Sequence, residues 1–123
     1  MILVDTSIWV DHLRVREKTL ERLLDTGQVL THPFVIGELA LGNLRRRGVI
    51  LGTLQVLPQA AFAAEHEVLR FIDQHRLFGI GIGYVGAHLL AAARLTPATT
   101  LWTRDKRLRA AASRLSLMAN LSR

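Results

Sequence analysis

Four apolar residues open the chain: Met1, Ile2, Leu3 and Val4 run without a break into Asp5, Thr6 and Ser7. A short apolar run ended by polar residues predicts a buried strand. The mixed run Ile8-Trp9-Val10-Asp11-His12-Leu13 then predicts a helix, capped by Thr6 or Ser7. Residues 17–26 set Leu20, Leu23 and Leu24 on one helical face and Glu21, Arg22 and Asp25 on the other, with Gly27 as a stop. Residues 28–31 read as a short second strand. Pro33 suits the first turn of the next helix, in which apolar residues surround one acid, Glu38.

The same reading gives a short helix over residues 49–56 and a third strand or turn at residues 57–58. A longer helix over residues 62–77 carries Ala61, Ala64, Val68, Leu69 and Ile72 as its apolar stripe. An Ala/Leu-rich helix is predicted for residues 87–95 and a fourth strand for residues 100–102. A basic helix over residues 106–114 and a last strand over residues 115–117 complete the chain. Short strands alternating with helices imply a parallel sheet covered on both faces. The expectation is a three-layer α/β/α fold, as a single domain over residues 1–123.

Composition narrows the chemistry. Half the residues are apolar, so the chain is globular. The absence of cysteine excludes disulfides, zinc–thiolate sites and thiol nucleophiles, and fits a reducing compartment. No apolar run approaches the ~18 residues of a membrane span. The N-terminus lacks the pattern of a cleaved leader, so a cytoplasmic location is expected. Sixteen Lys and Arg against ten Asp and Glu give a net charge of +6, which suits a polyanionic partner.

Three constellations carry possible chemistry. Asp5 and Asp105 each follow a predicted strand, and all strand ends of a parallel sheet lie on one edge. The two acids therefore converge if their strands are neighbours. Glu38 adds a carboxylate that is costly to bury unless paired or metal-bound. The physical reason to gather carboxylates is a hard divalent cation such as Mg²⁺ or Mn²⁺, which can activate water on a phosphate. Gly81-Ile82-Gly83-Tyr84-Val85-Gly86 matches a dinucleotide-binding fingerprint, but a charged helix end precedes it instead of a strand, and only 37 residues follow. The five histidines show no paired ligand spacing and read as surface or helix-face residues.

The segments Leu3-Val4-Asp5-Thr6-Ser7-Ile8-Trp9, Pro33-Phe34-Val35-Ile36-Gly37-Glu38-Leu39, Gly81-Ile82-Gly83 before Ala87-His88-Leu89-Leu90-Ala91-Ala92, and Leu101-Trp102-Thr103-Arg104-Asp105-Lys106-Arg107-Leu108 resemble, in order, the VapC toxins of the PIN-domain family. The resemblance implies a PIN-type fold with a parallel sheet of about five strands. It implies a Mg²⁺- or Mn²⁺-dependent endoribonuclease that cuts tRNA or rRNA, a homodimer, and a VapB-type antitoxin that pushes an arginine-bearing tail into the acidic pocket. Asp5, Glu38 and Asp105 match the family's first, second and fourth acids, and Thr6 and Thr103 match hydroxyls that orient them. Arg45, Arg46, Arg47, Arg104, Lys106 and Arg107 are expected to contact RNA.

Where the family carries its third acid, this chain has Gly86. Glycine supplies no ligand and costs about 1 kcal/mol of helix propensity relative to alanine. The resemblance therefore implies an inactivated form, engineered or selected because the active toxin harms its host. The alternative is a dead nuclease fold that binds antitoxin or RNA without cutting.

Overall fold

The computed structural model describes residues 1–121. A strand, β1 (Ile2–Val4), leads into α1 (Thr6–Arg14) and α2 (Lys18–Asp25). β2 (Val29–Leu30), α3 (Pro33–Ala40), α4 (Arg47–Val56), α5 (Glu65–Gln74) and α6 (Tyr84–Leu95) follow. β3 (Thr100–Trp102) and α7 (Lys106–Arg114) close the series. The strands form one parallel sheet in the order β2-β1-β3, with Leu3 opposite Leu30 on one side and Leu101 on the other.

The sheet has three strands and not about five. No strand forms over residues 57–58 or 115–117; one parallel bridge follows each, Thr31 with Gln59 and Leu101 with Met118. Thr31 N donates to Pro58 O at 2.9 Å and Ala60 N to Thr31 O at 2.9 Å, after which the chain leaves the sheet. At the other edge Leu101 N donates to Leu117 O and Ala119 N to Leu101 O at 2.9 Å. Each edge segment thus makes one pair of hydrogen bonds before turning away, too little to extend a ladder.

Neighbouring residues of a strand point to opposite faces, and both Leu3 and Val4 are fully buried. β1 is therefore covered on both sides. α6 forms much of that cover: each residue from Ala87 to Ala93 is buried, and its alanines admit close packing. α1 begins at Thr6, earlier than the polar residues suggested, because Asp5 is its N-cap position by backbone geometry without a side-chain cap bond. α5 starts only at Glu65; Ala61 N instead donates to Thr96 Oγ1 at 2.9 Å, holding residues 60–64 as a loop. Its buried residues are Val68 and Phe71, and Leu69, expected inside, is exposed. α6 begins at Tyr84, which draws Gly86 into its first turn. Among the described residues no helix is long and apolar enough to cross a membrane.

Candidate active site

β1 and β3 are neighbours, so Asp5 and Asp105 emerge from the carboxyl ends of adjacent strands, where open α/β sheets hold their ligands. Asp5 N donates to Trp102 O at 3.0 Å, extending the ladder to the edge of the site. Asp5 is buried, and its Oδ2 accepts from Thr103 Oγ1 at 2.7 Å and Ser7 Oγ at 2.9 Å. The two hydroxyls fix the rotamer of the carboxylate. Thr103 Oγ1 also accepts from Asp105 N at 3.1 Å, so one buried hydroxyl ties the two acids together.

Glu38 departs from the sequence expectation in its burial. It is exposed on the outer side of α3, and the cost of a buried charge does not arise. Its Oε1 accepts from Thr6 Oγ1 at 2.6 Å, which turns it toward the end of β1. Asp105 is exposed and caps α7, accepting through Oδ1 from Arg107 N at 3.0 Å and Leu108 N at 3.1 Å. Among the described residues, the second oxygen of each of these three carboxylates accepts no hydrogen bond.

These groups share one cavity of about 260 Å³, lined by Asp5, Thr6, Ser7, Glu38, Gly86 and Asp105 on its polar side and Ile82, Val85 and Leu108 on its apolar side. A larger cavity, about 360 Å³, lies by α2 and α7 and has Glu17 as its single acid. The donors of the acidic cavity are hard oxygens, the type that suits Mg²⁺ or Mn²⁺. Among the described residues no group of three acidic or imidazole side chains stands ready as placed to hold a metal ion. The exposed Glu38 and Asp105 would have to turn inward on the fixed Asp5.

Gly86 lies on the wall of the same cavity. A Cβ there would meet Leu108 Cδ1 at 3.1 Å and Cδ2 at 3.5 Å, so the leucine fills the place where a side chain would start. Gly81, at φ +84°, lets Arg107 cross the loop in front of α6; Arg107 Cδ lies 2.8 Å from where a Cβ would be. No strand precedes the 81–86 motif, which removes the framework a dinucleotide site requires.

The arginines are not one surface. Arg104 is held in ion pairs, through Nε to Asp11 Oδ2 at 2.6 Å and Nη2 to Glu17 Oε2 at 2.7 Å. Arg47 donates to Ala40 O at 3.2 and 2.9 Å and joins the end of α3 to α4. Arg45, Arg46, Lys106 and Arg107 are exposed. Of these, Lys106 and Arg107 directly follow Asp105.

Two features were missed in the sequence. Ser7 was read only as a cap, yet it donates to Asp5 and accepts from Arg104 N at 3.0 Å. Its place two residues after Asp5 was the available signal. His32 and His88, read as surface or helix-face residues, are buried together, with His32 Nε2 and His88 Nδ1 lacking hydrogen-bond partners among the described residues. Burial, and next the neighbouring His88, holds the His32 imidazole down at about 4. Burial also lowers His88, against the opposing pull of Glu65.

The PIN-domain profile matches residues 2–113, and the chain belongs to the PIN-domain family. Within it the chain is of the VapC type. It is 48% identical over 111 residues to the protein named Ribonuclease VapC32 in each of two strains of Mycobacterium tuberculosis, covering 90% of this chain and 90% of the relative. The crystal structure of FitAcB from Neisseria gonorrhoeae shares the fold, with a TM-score of 0.60 and 23% identity over 92% of this chain and 94% of that one.

Proposed function

We propose that this chain is the toxin of a VapBC-like pair, an endoribonuclease fold built to cut tRNA or rRNA with Mg²⁺ or Mn²⁺. The observation that carries the reading is the shared cavity. Asp5, Glu38 and Asp105 are far apart in sequence and line one pocket at the carboxyl edge of the sheet. The 48% identity to a protein named a ribonuclease supports it.

Asp5, Glu38 and Asp105 would hold the divalent cation, which when bound supplies a lowered water pKa and shielding of developing phosphate charge. The chain's own residues prepare the place. Thr103 and Ser7 hold Asp5 in one orientation, Thr6 directs Glu38, and the start of α7 holds Oδ1 of Asp105, leaving its other oxygen to turn inward. The exposed Lys106 and Arg107 stand beside Asp105, where they would grip RNA phosphates. Arg45 and Arg46 at the α3–α4 turn extend the basic surface. The predicted VapB-like antitoxin would offer cationic side chains to the same acidic rim, and a homodimer is the expected assembly.

Gly86 weakens this machinery. Losing a partner that merely orients a metal ligand typically costs ~10–100-fold in affinity or activity, and a missing ligand costs at least that. The position of Leu108 beside Gly86 supports a second reading, an interaction protein that binds without cutting. Total RNA incubated with Mn²⁺ separates them, with and without EDTA, using the chain and its Gly86→Asp form. Leu108 must yield a few tenths of an ångström to the new Cβ, so a Gly86→Asp, Leu108→Val double substitution accompanies the single one. We expect EDTA-sensitive cutting at least 10-fold faster in either Asp-bearing form. RNA bound but uncut by all forms would establish the interaction reading.

A further inference from the structure

Five aromatic rings meet beside the acidic cavity. Phe34, Phe62 and Tyr84 gather around His88, with ring centroids 4.6, 5.5 and 4.8 Å from it. His32 lies beneath, 5.3 Å from Phe34 and 5.4 Å from Phe62. Both imidazoles are buried, whereas Phe62 is 53% and Tyr84 46% exposed. Exposed apolar surface gathered in one cluster, unlike single scattered side chains, marks a contact site. Their tilted and edge-on packing onto buried neighbours fixes their orientation.

The topology places this cluster on the rim that carries the acids. Phe34 lies in the first turn of α3, which leaves the carboxyl end of β2, and Glu38 is one turn further along the same helix. Phe62 follows the Gln59 edge bridge, which runs parallel to β2. Tyr84 opens α6 between Gly83 and Val85, both of which line the acidic cavity. Rings and carboxylates therefore share the rim: Phe34 and Glu38 lie on α3, and Tyr84 stands beside the wall of the acidic cavity.

We propose that Phe62 and Tyr84, backed by Phe34 and the two histidines, form a stacking shelf for an unpaired nucleobase whose backbone phosphate would reach the cation proposed at Asp5, Glu38 and Asp105. Single-stranded RNA is recognised by splaying bases onto aromatic side chains, at roughly 10-fold in affinity per stacked base. The inference rests on the RNA reading above. It adds which side chains would take the base, Phe62 and Tyr84, through flat apolar contact and not through phosphate attraction alone. The net charge of +6 supplies the latter for any RNA.

The test uses the full chain at fixed salt, with Mn²⁺ and again with EDTA, and offers it a single-stranded octanucleotide of RNA and an abasic strand of the same length. We expect the base-bearing strand to bind roughly 10-fold or more tightly than the abasic one. Phe62→Leu and Tyr84→Leu should erase that preference while leaving abasic binding unchanged, and Phe62→Trp should keep it. Equal binding of both strands by the parent chain overturns the shelf while leaving RNA binding intact. Binding of neither strand, with Mn²⁺ or with EDTA, overturns the RNA reading itself. Unchanged base preference in the leucine variants overturns the shelf, as does a dimer that they convert to monomer in sedimentation without altering RNA affinity, since the rings would then be a contact between copies.

Discussion

The Thr103 hydroxyl donates to Asp5 and accepts from the backbone of Asp105, and its residue is almost wholly enclosed. Removing it strands part of a buried carboxylate's hydrogen bonding, a loss worth about 1–3 kcal/mol. Thr103→Val should lower unfolding free energy in urea by that amount, and Thr103→Ser should recover most of it. A valine variant as stable as the parent would contradict the assigned bond. At this scale the acids were legible because each stands at the edge of an apolar run: Asp5 after Val4, Asp105 just past Trp102. The role of Ser7 was not, since a hydroxyl that caps a helix and one that holds a carboxylate look alike in sequence. Glu38 was singled out through an argument about burial that its exposure removes; Thr6, 32 residues away in the chain, ties it to the site.

Asp105 serves two elements at once, as the cap of α7 and as a wall of the acidic cavity. The two roles separate by substitution. Asp105→Ala should cost about 1 kcal/mol of stability through the lost cap, while Asp105→Ser, itself a good cap, should unfold near the parent midpoint. Both should abolish metal-dependent cutting in the Gly86→Asp background. Retained cutting in the serine variant would remove Asp105 from the site. Helices with strong stops were legible, as at Gly27, where the chain turns at φ +67°. The sheet edges were not: the pairing falls just past residues 57–58 and 115–117, at Gln59 and Met118, and tertiary geometry limits it to a single bridge on each side. The start of α5 was misplaced for a similar reason. Phe62 opens the segment that reads as helix, yet the Thr96 hydroxyl, bonded to Ala61 N, secures that stretch as a loop.

On the scale of the whole molecule, the buried histidines tie stability to pH. Unfolded, His32 takes up its proton near 6.5; folded, only at about 4. Between those values the unfolded chain binds more protons. The contribution is therefore complete above pH 6.5 and drains away as pH falls toward 4, up to ~3 kcal/mol at 1.36 kcal/mol per unit. The urea midpoint should drop between pH 7.5 and 4.5, and much less in a His32→Asn protein compared with itself. A parent midpoint constant over that interval would contradict burial of the neutral imidazole. The fold was legible from its alternating strands and helices, and the convergence of the acids followed from strand adjacency. The histidine and aromatic cluster was not legible, because it joins three segments whose separate patterns read as ordinary helix starts and a loop.

A divalent centre at this rim requires Asp5, Glu38 and Asp105 to close together on one cation. Titration of Mn²⁺ into the Gly86→Asp protein, followed calorimetrically, measures this directly. Asp5→Asn, Glu38→Gln and Asp105→Asn should each weaken binding by ~10-fold or more. If any one of them binds Mn²⁺ as tightly as its parent, that carboxylate is no part of a shared centre and the claim fails.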